Sequence, residues 1–177
     1  GSYGGGLGRL QNGVGTTFGR RQGLASDLVR VLYLDSRERL WIGTEGGGLS
    51  CFKDGALRSF GLQHGIGDDT VVQILEDDAG DLWLGTYRGI YRIRRPDMEA
   101  LLAGHVPRVH PHAFDQSDGL LSAQCIAGFG AALKTREGRL FFSTDRGLVV
   151  IDPRRLLENA DPPVVRLESL VVNGRPA

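Results

Sequence analysis

Leu40-Trp41-Ile42-Gly43-Thr44 and Leu82-Trp83-Leu84-Gly85-Thr86 share one pattern 42 residues apart, and this spacing constrains the chain more than any other feature in it. A unit that recurs every 40 residues or so cannot bury its apolar side alone, so copies must pack on one another. Gly6, Gly13, Phe18 and Gly23 return as Gly48, Gly55, Phe60 and Gly65 at the same interval. Downstream the register loosens: the unit Phe60 to Ile66 returns at Phe114 to Leu120, displaced by 54. The tryptophan segment returns as Leu140-Phe141-Phe142-Ser143-Thr144, displaced by 58. Twelve residues are inserted first, and four more follow between Gly119 and Phe141.

Each period reads as strands. Val29, Val31 and Tyr33 alternate with Arg30 and Leu32, and a turn over Asp35 to Glu38 leads into Leu40 to Thr44. Val71 to Leu75 turns through Asp77-Asp78-Ala79-Gly80 in the same way. Third strands are expected at Gly48 to Phe52, Gly89 to Ile93 and Gly147 to Ile151, and fourth strands end at Phe18, Phe60 and Phe114. Four short antiparallel strands per period describe a propeller blade, so the fold class is all-β, a β-propeller fragment of about 42-residue blades. Helix is confined to Asp97 to Ala103, stopped by Gly104, and to Pro153 to Asn159.

The expected units are 1–22, the outer strands of a first blade; 23–64, a second blade; 65–118, a third with a short helical insertion; 119–161, a last blade; and 162–177, an exit segment. This is roughly half a ring. Half a ring leaves sheet edges and apolar blade faces in water, which predicts a homo-oligomer in which a second copy closes the ring, with Gly6 to Phe18 completing the partner's last blade.

The 27 glycines fit tight turns and close strand approaches. A phosphate-cradling role for Gly4-Gly5-Gly6 or Gly46-Gly47-Gly48 is disfavoured, because no helix or Gly-Lys-Ser/Thr follows. Trp41 and Trp83 could stack on a sugar, but a repeated strand position favours a wedge between blades. Together with Gly43, Thr44, Gly85, Thr86 and Phe141 they form the structural signature.

Twenty-one basic and 21 acidic side chains cancel, with no basic stripe for nucleic acid. No apolar run reaches the roughly 20 residues that cross a bilayer. Cys51 and Cys125 are expected as two buried thiols, because a bridge between them would have to cross a blade. His110 and His112, with His105 and His64, make a weak case for a metal, and surface residues of an insertion explain them as well. The adjacent carboxylates Asp68 and Asp69 are not expected to face each other, and no nucleophile or acid-pair motif occurs. The chain is read as non-catalytic and without a cofactor.

Asp77 to Thr86 resembles the signature of two-component regulator propeller repeats, Asp-x-x-Gly-x-Leu-Trp-hydrophobic-Gly-Thr, in full. Asp35 to Thr44 departs at Glu38, and Thr135 to Thr144 departs at Thr135, Phe141 and Ser143. Asp152-Pro153, Pro162-Pro163 and Val171-Val172-Asn173-Gly174 are similar to the exit of a final blade into an immunoglobulin-like three-tyrosine (Y_Y_Y) domain. The resemblance implies the periplasmic part of a transmembrane sensor whose output is a histidine kinase or a diguanylate cyclase, with a carbohydrate as ligand. A protein-interaction scaffold is the runner-up, and a propeller lyase or quinoprotein-like enzyme is a third reading.

Positions beside the signature that stay polar or aromatic are candidate ligand contacts for a small molecule or oligosaccharide. Tyr3, Glu45, Tyr87 and Asp145 form one set after the Gly-Thr pair, with Arg88 and Arg146 next to the last two. Asp27, Asp69 and Gln124 form a second set in the links to the innermost strands. The alternative is that all nine are ordinary solvated loop residues.

Overall fold

The computed structural model describes residues 1–128 and 130–156, together with the backbone of two short paired segments, Val171–Val172 and Arg175–Pro176. Apart from that pair, the expected exit segment lies outside the described residues, as does the expected helix beyond Leu156.

Two complete four-stranded antiparallel sheets stand at the centre. The first runs β3 (Val29–Leu34), β4 (Leu40–Thr44), β5 (Gly48–Lys53) and β6 (Ala56–Phe60), and the second runs β7 (Val71–Glu76), β8 (Leu82–Thr86), β9 (Ile90–Ile93) and β10 (His112–Phe114). Before them lies the pair β1 (Leu7–Gln11) and β2 (Val14–Phe18). After them comes the triplet β11 (Ala132–Lys134), β12 (Leu140–Thr144) and β13 (Gly147–Ile151). Each sheet is built from consecutive strands, as a meander must be when its turns are short.

Three separate apolar cores lie between successive sheets. Leu7, Leu24, Val29 and Ile42 join the first pair to the β3–β6 sheet. Trp41, Leu49, Val71, Ile74 and Leu84 fill the next gap, and Val72, Leu75, Trp83, Cys125, Leu140 and Phe142 fill the third. The innermost strands β3, β7 and β11 are neighbours. Sheets stacked face to face about their innermost strands are the blades of a propeller. Both indoles are 0% exposed, each wedged against the following blade.

Glycine in the signature is required by that packing. A Cβ on Gly43 would come within 2.6 Å of the Val71 carbonyl oxygen on the next innermost strand, and one on Gly85 would meet Gln73 and, at 3.1 Å, the Cys125 sulfur. The signature threonines bond across their loops: the hydroxyls of Thr44, Thr86 and Thr144 donate to the carbonyls of Gly48, Gly89 and Gly147 at 3.0, 2.9 and 2.9 Å.

The signature aspartate explains the tryptophan six residues later. Asp77 accepts from the backbone N–H of Ala79 and Asp81 and from the Trp83 indole, each at 2.9 Å. Asp35 accepts from the Arg37 and Arg39 amides, the Arg39 guanidinium and the Trp41 indole. In the last blade the Thr135 hydroxyl takes the place of the carboxylate, accepting from the Arg139 amide at 3.2 Å. Its partner there is Phe141, which carries no N–H to satisfy, so the two departures from the signature compensate each other.

Two placements differ from the sequence expectations. Cys125 pairs with Thr144 by an isolated bridge, matching Val29 with Thr44 and Val71 with Thr86, but the last innermost strand then leaves the sheet and resumes only at Ala132. The four extra residues therefore sit in an excursion after Cys125, pinned at both ends where Ile126 N donates to Ser143 O and Ser143 N to Ala131 O. The expected helix at Pro153 is one 3-10 turn, Pro153–Arg155, within the described residues.

The helix α1 (Arg95–Ala103) starts two residues earlier than its sequence pattern suggests, with Pro96 in its first turn, and ends at Gly104 with φ 74°. Its Met98 and Leu101 are buried in the core between the two complete blades. Its Glu99 reaches back to Arg39 at 2.7 Å and Arg37 at 3.2 Å in the preceding blade. The helix is thus a strap across two blades.

Candidate ligand face of the propeller

Antiparallel strands put the second-to-third-strand loops and the links between blades at one face, and the remaining turns at the other. Each link is built alike. A 3-10 turn, Arg20–Gln22, Leu62–His64 or Gln116–Asp118, ends at a left-handed glycine, Gly23, Gly65 or Gly119, with φ of 97°, 81° and 92°. The last side chain of each turn reaches back to the preceding amide: Gln22 to Gly19, His64 Nδ1 to Gly61, and Asp118 to Asp115. His64 is thereby occupied with its own turn. Among the described residues no three His, Cys, Asp or Glu side chains are grouped to hold a metal ion.

Past the glycine, Ser26, Asp68 and Ser122 each accept from the amide two residues on, Leu28, Thr70 and Gln124, at 3.3, 3.1 and 3.1 Å. Six residues separate Gly119 from Cys125, as they separate Gly23 from Val29, so Ala123 stands level with Asp27 and Asp69. Gln124 is the counterpart of Leu28 instead: its carbonyl accepts from Asp145 N as that of Leu28 accepts from Glu45 N. The Asp27 carboxylate turns back onto its link, accepting from Arg20 N at 2.9 Å, and its carbonyl accepts from Gly4 N and Gly6 N. Asp69 accepts from the Thr70 hydroxyl at 3.3 Å, and its carbonyl ties down Gly48 N.

Arg30, Glu45 and Tyr3 meet at this face, with Tyr87 within electrostatic reach of Arg30. Arg30, in the bulge between Val29 and Val31, donates from Nε to Glu45 at 2.7 Å and again from a terminal nitrogen. Its guanidinium lies 4.6 Å from the centroid of the Tyr3 ring, which is 66% exposed. Burial opposes the Arg30 charge, but the Glu45 hydrogen bond and charge outweigh it and hold the guanidinium above its usual pKa, with Tyr87 and Tyr3 also contributing. Tyr3, Glu45 and Tyr87 thus share a neighbourhood organised by Arg30, which sequence reasoning missed. Its signal was a charged residue on an innermost strand where the other blades have Val72 and Ile126.

Arg88 and Arg146 occupy matching loop positions, their amides donating to the Thr86 and Thr144 hydroxyls at 3.0 and 3.4 Å, with exposed side chains. Asp145 is likewise exposed. Arg146 lines a different feature, a cleft of about 1250 Å³ that opens along β13 between the last two blades. There Leu148, at the register of the buried Leu7, Leu49 and Ile90, is 59% exposed, since among the described residues no outer strand pairs with β13 and no further sheet covers its far face.

Below the loops, Asp68 is 2% exposed and its second oxygen has no hydrogen-bond partner among the described residues. Burial raises its pKa first of all, and a carboxyl contact with Asp69 adds to this, while Thr70, Thr86 and Arg88 oppose it. Between the last two gaps Gln73 donates from Nε2 to the carbonyls of Ile126 and Ser143 at 2.8 and 2.9 Å, holding the ends of the excursion.

Meander blades packed about a common line of innermost strands define the chain as a β-propeller segment. Residues 23–46 and 65–88 match the model of the two-component regulator propeller. Among solved structures, the whole chain superposes on 24% of the extracellular domain assigned to hybrid two-component system BT3049 of B. thetaiotaomicron, with a TM-score of 0.74 and 24% identity. The extracellular domain assigned to BT4673 of the same organism matches 86% of the chain over 22% of its own length, with a TM-score of 0.69 and 20% identity. At these identities the likeness is one of fold, and the chain spans about a quarter of each neighbour. No curated protein matches the chain in sequence. No described helix is long and apolar enough to cross a membrane.

Proposed function

We propose that the chain is a non-catalytic, ligand-sensing propeller segment from the periplasmic part of a two-component sensor, and that its loop face receives an oligosaccharide. The observation that carries this reading is the group formed by Tyr3, Arg30, Glu45 and Tyr87. An exposed aromatic ring beside an ion pair whose two guanidinium donors share one carboxylate oxygen offers a sugar both a stacking face and hydroxyl partners. Two segments match the model of a regulatory family, and the structural neighbours are described as extracellular domains of two-component systems, which supports a sensory role. Arg88, Asp69, Asp145, Gln124 and Asp27 border the same face as secondary contacts. The output module, a histidine kinase or a diguanylate cyclase, belongs to the parent protein.

A ligand of this kind transmits a signal only by binding two arrangements of the assembly unequally. The exposed apolar flanks, Leu32 and Leu34 on one side and Leu148 and Val150 on the other, are the surfaces on which a second copy would close the ring. Light scattering of the purified chain tests that association, and a monodisperse monomer counts against it. For ligand recognition the test is a glycan array followed by calorimetry on Tyr3→Ala, Tyr87→Ala and Glu45→Gln. Loss of affinity by about tenfold or more at unchanged melting temperature supports the reading. Failure of every glycan to bind, or variants that bind as well as the parent, overturns it.

A further inference from the structure

On the face opposite the candidate loops, a cleft of about 300 Å³ opens between the outer strands of the β3–β6 blade and α1. Four cationic side chains line it, Arg37, Arg39, Lys53 and Arg58, against the single carboxylate of Glu99. Arg39 is buried and paired with two carboxylates, Asp35 at 2.6 Å and Glu99 at 2.7 Å. The other three are exposed, and each commits one side-chain donor: Arg37 to Glu99 at 3.2 Å, Lys53 to the Arg37 carbonyl at 3.2 Å, and Arg58 to the Leu102 carbonyl. A guanidinium has five donors and an ammonium three, so most of the hydrogen-bonding capacity around the cleft is left over.

This excess is not a requirement of the repeat. Forty-two residues on, the position of Arg39 is held by Asp81, which pairs with Arg92 at 2.8 Å and neutralises it. In the β3–β6 blade the corresponding third-strand residue is Cys51, whose thiol burial pushes up to about 11 and which offers no counter-charge. The blade architecture is therefore compatible with a balanced cleft, and this one is unbalanced.

We propose that the cleft binds a tetrahedral oxyanion group, a sulfate or phosphate ester, held by Arg37, Lys53 and Arg58, with Glu99 as the resident anion that orients Arg37 and Arg39. Guanidinium forks match such a group, and the small volume suits one esterified unit rather than a chain. The site stands independently of the loop face.

The test is titration of the chain with inorganic sulfate, inorganic phosphate and acetate at fixed ionic strength, followed by NMR shifts and calorimetry. A saturable site that prefers a dianion to acetate is expected, and comparison of the sulfate and phosphate arms names the ester. Lys53→Gln and Arg58→Gln, both exposed, each weaken binding by about tenfold. Glu99→Gln tightens it, because the competing carboxylate is gone, whereas a cation cluster that merely braces α1 would give no such gain. Tyr3→Ala leaves it unchanged. The proposal is overturned by the absence of saturable binding, by acetate binding as well as the dianions, or by indifference to the two Gln variants.

Discussion

Replacement of Asp77 by Thr together with Trp83 by Phe copies into the third blade the pair that the last blade carries as Thr135 and Phe141. In the parent, Asp77 accepts three hydrogen bonds at 2.9 Å, one of them from an indole that is 0% exposed. Asp77→Thr alone leaves that indole N–H, and at least one turn amide, without an acceptor. At about 1–3 kcal/mol for each buried unsatisfied group, the single variant should lose about 3–4 kcal/mol. Trp83→Phe alone leaves a cavity between blades and one idle carboxylate oxygen, costing about 2–4 kcal/mol. In the double variant the cavity remains but the orphaned indole does not exist. The two losses should therefore fall short of additivity by about 1–2 kcal/mol, the worth of the single Asp77–Trp83 bond and its desolvation. Urea unfolding followed by circular dichroism on the four proteins of the cycle measures this. Additivity within about 0.5 kcal/mol would refute the idea that aspartate and tryptophan are retained as a bonded pair.

Further expectations follow from the same geometry. Gly43→Ala, whose Cβ meets the Val71 carbonyl at 2.6 Å, should destabilise by about 1–3 kcal/mol, whereas Gly8→Ala, with open space around it and an ordinary backbone, should stay within about 0.5 kcal/mol in thermal unfolding. Asp68 has a raised pKa, so the folded chain holds that proton more tightly than the unfolded chain, and ionised Asp68 opposes folding at pH 7. Asp68→Asn should accordingly be favourable at pH 7, with the advantage fading as pH falls towards about 4, where the parent is protonated too; an advantage that grows on acidification contradicts this. Cys51 and Cys125 are buried with thiols pushed up to about 11 and about 12, so a thiol reagent at pH 8 should modify them only at the rate of unfolding.

What the sequence revealed and what it withheld divide along a physical line. Trp41, Gly43, Thr44 and their copies stand out because each blade solves the same packing problem, so the same residue answers it at the same interval. Strand pairing within a blade is local and follows from alternation and turns. Contacts between blades are not local. Arg30 with Tyr3, Gln73 with the Ile126 excursion, and Glu99 with Arg39 join residues whose proximity depends on how one sheet seats on the next. Gln124 shows the difference at the candidate face: its polarity suggests equivalence with Asp27 and Asp69, but the bonding register pairs it with Leu28. The role of His64, a turn acceptor standing where Gln22 and Asp118 stand in other links, is also invisible to composition, because three unlike side chains do the same work.

The central claim is that the repeated tryptophans are sealed between blades and bonded to the repeated aspartates, leaving recognition to the loops. Hydrogen exchange of the two indole N–H groups, followed by NMR, tests it most directly. The account predicts that both Trp41 and Trp83 signals persist after transfer to heavy water and decay only with global opening, because both are buried and bonded at 2.8 and 2.9 Å. Indole protons that vanish as fast as those of a free tryptophan would contradict it.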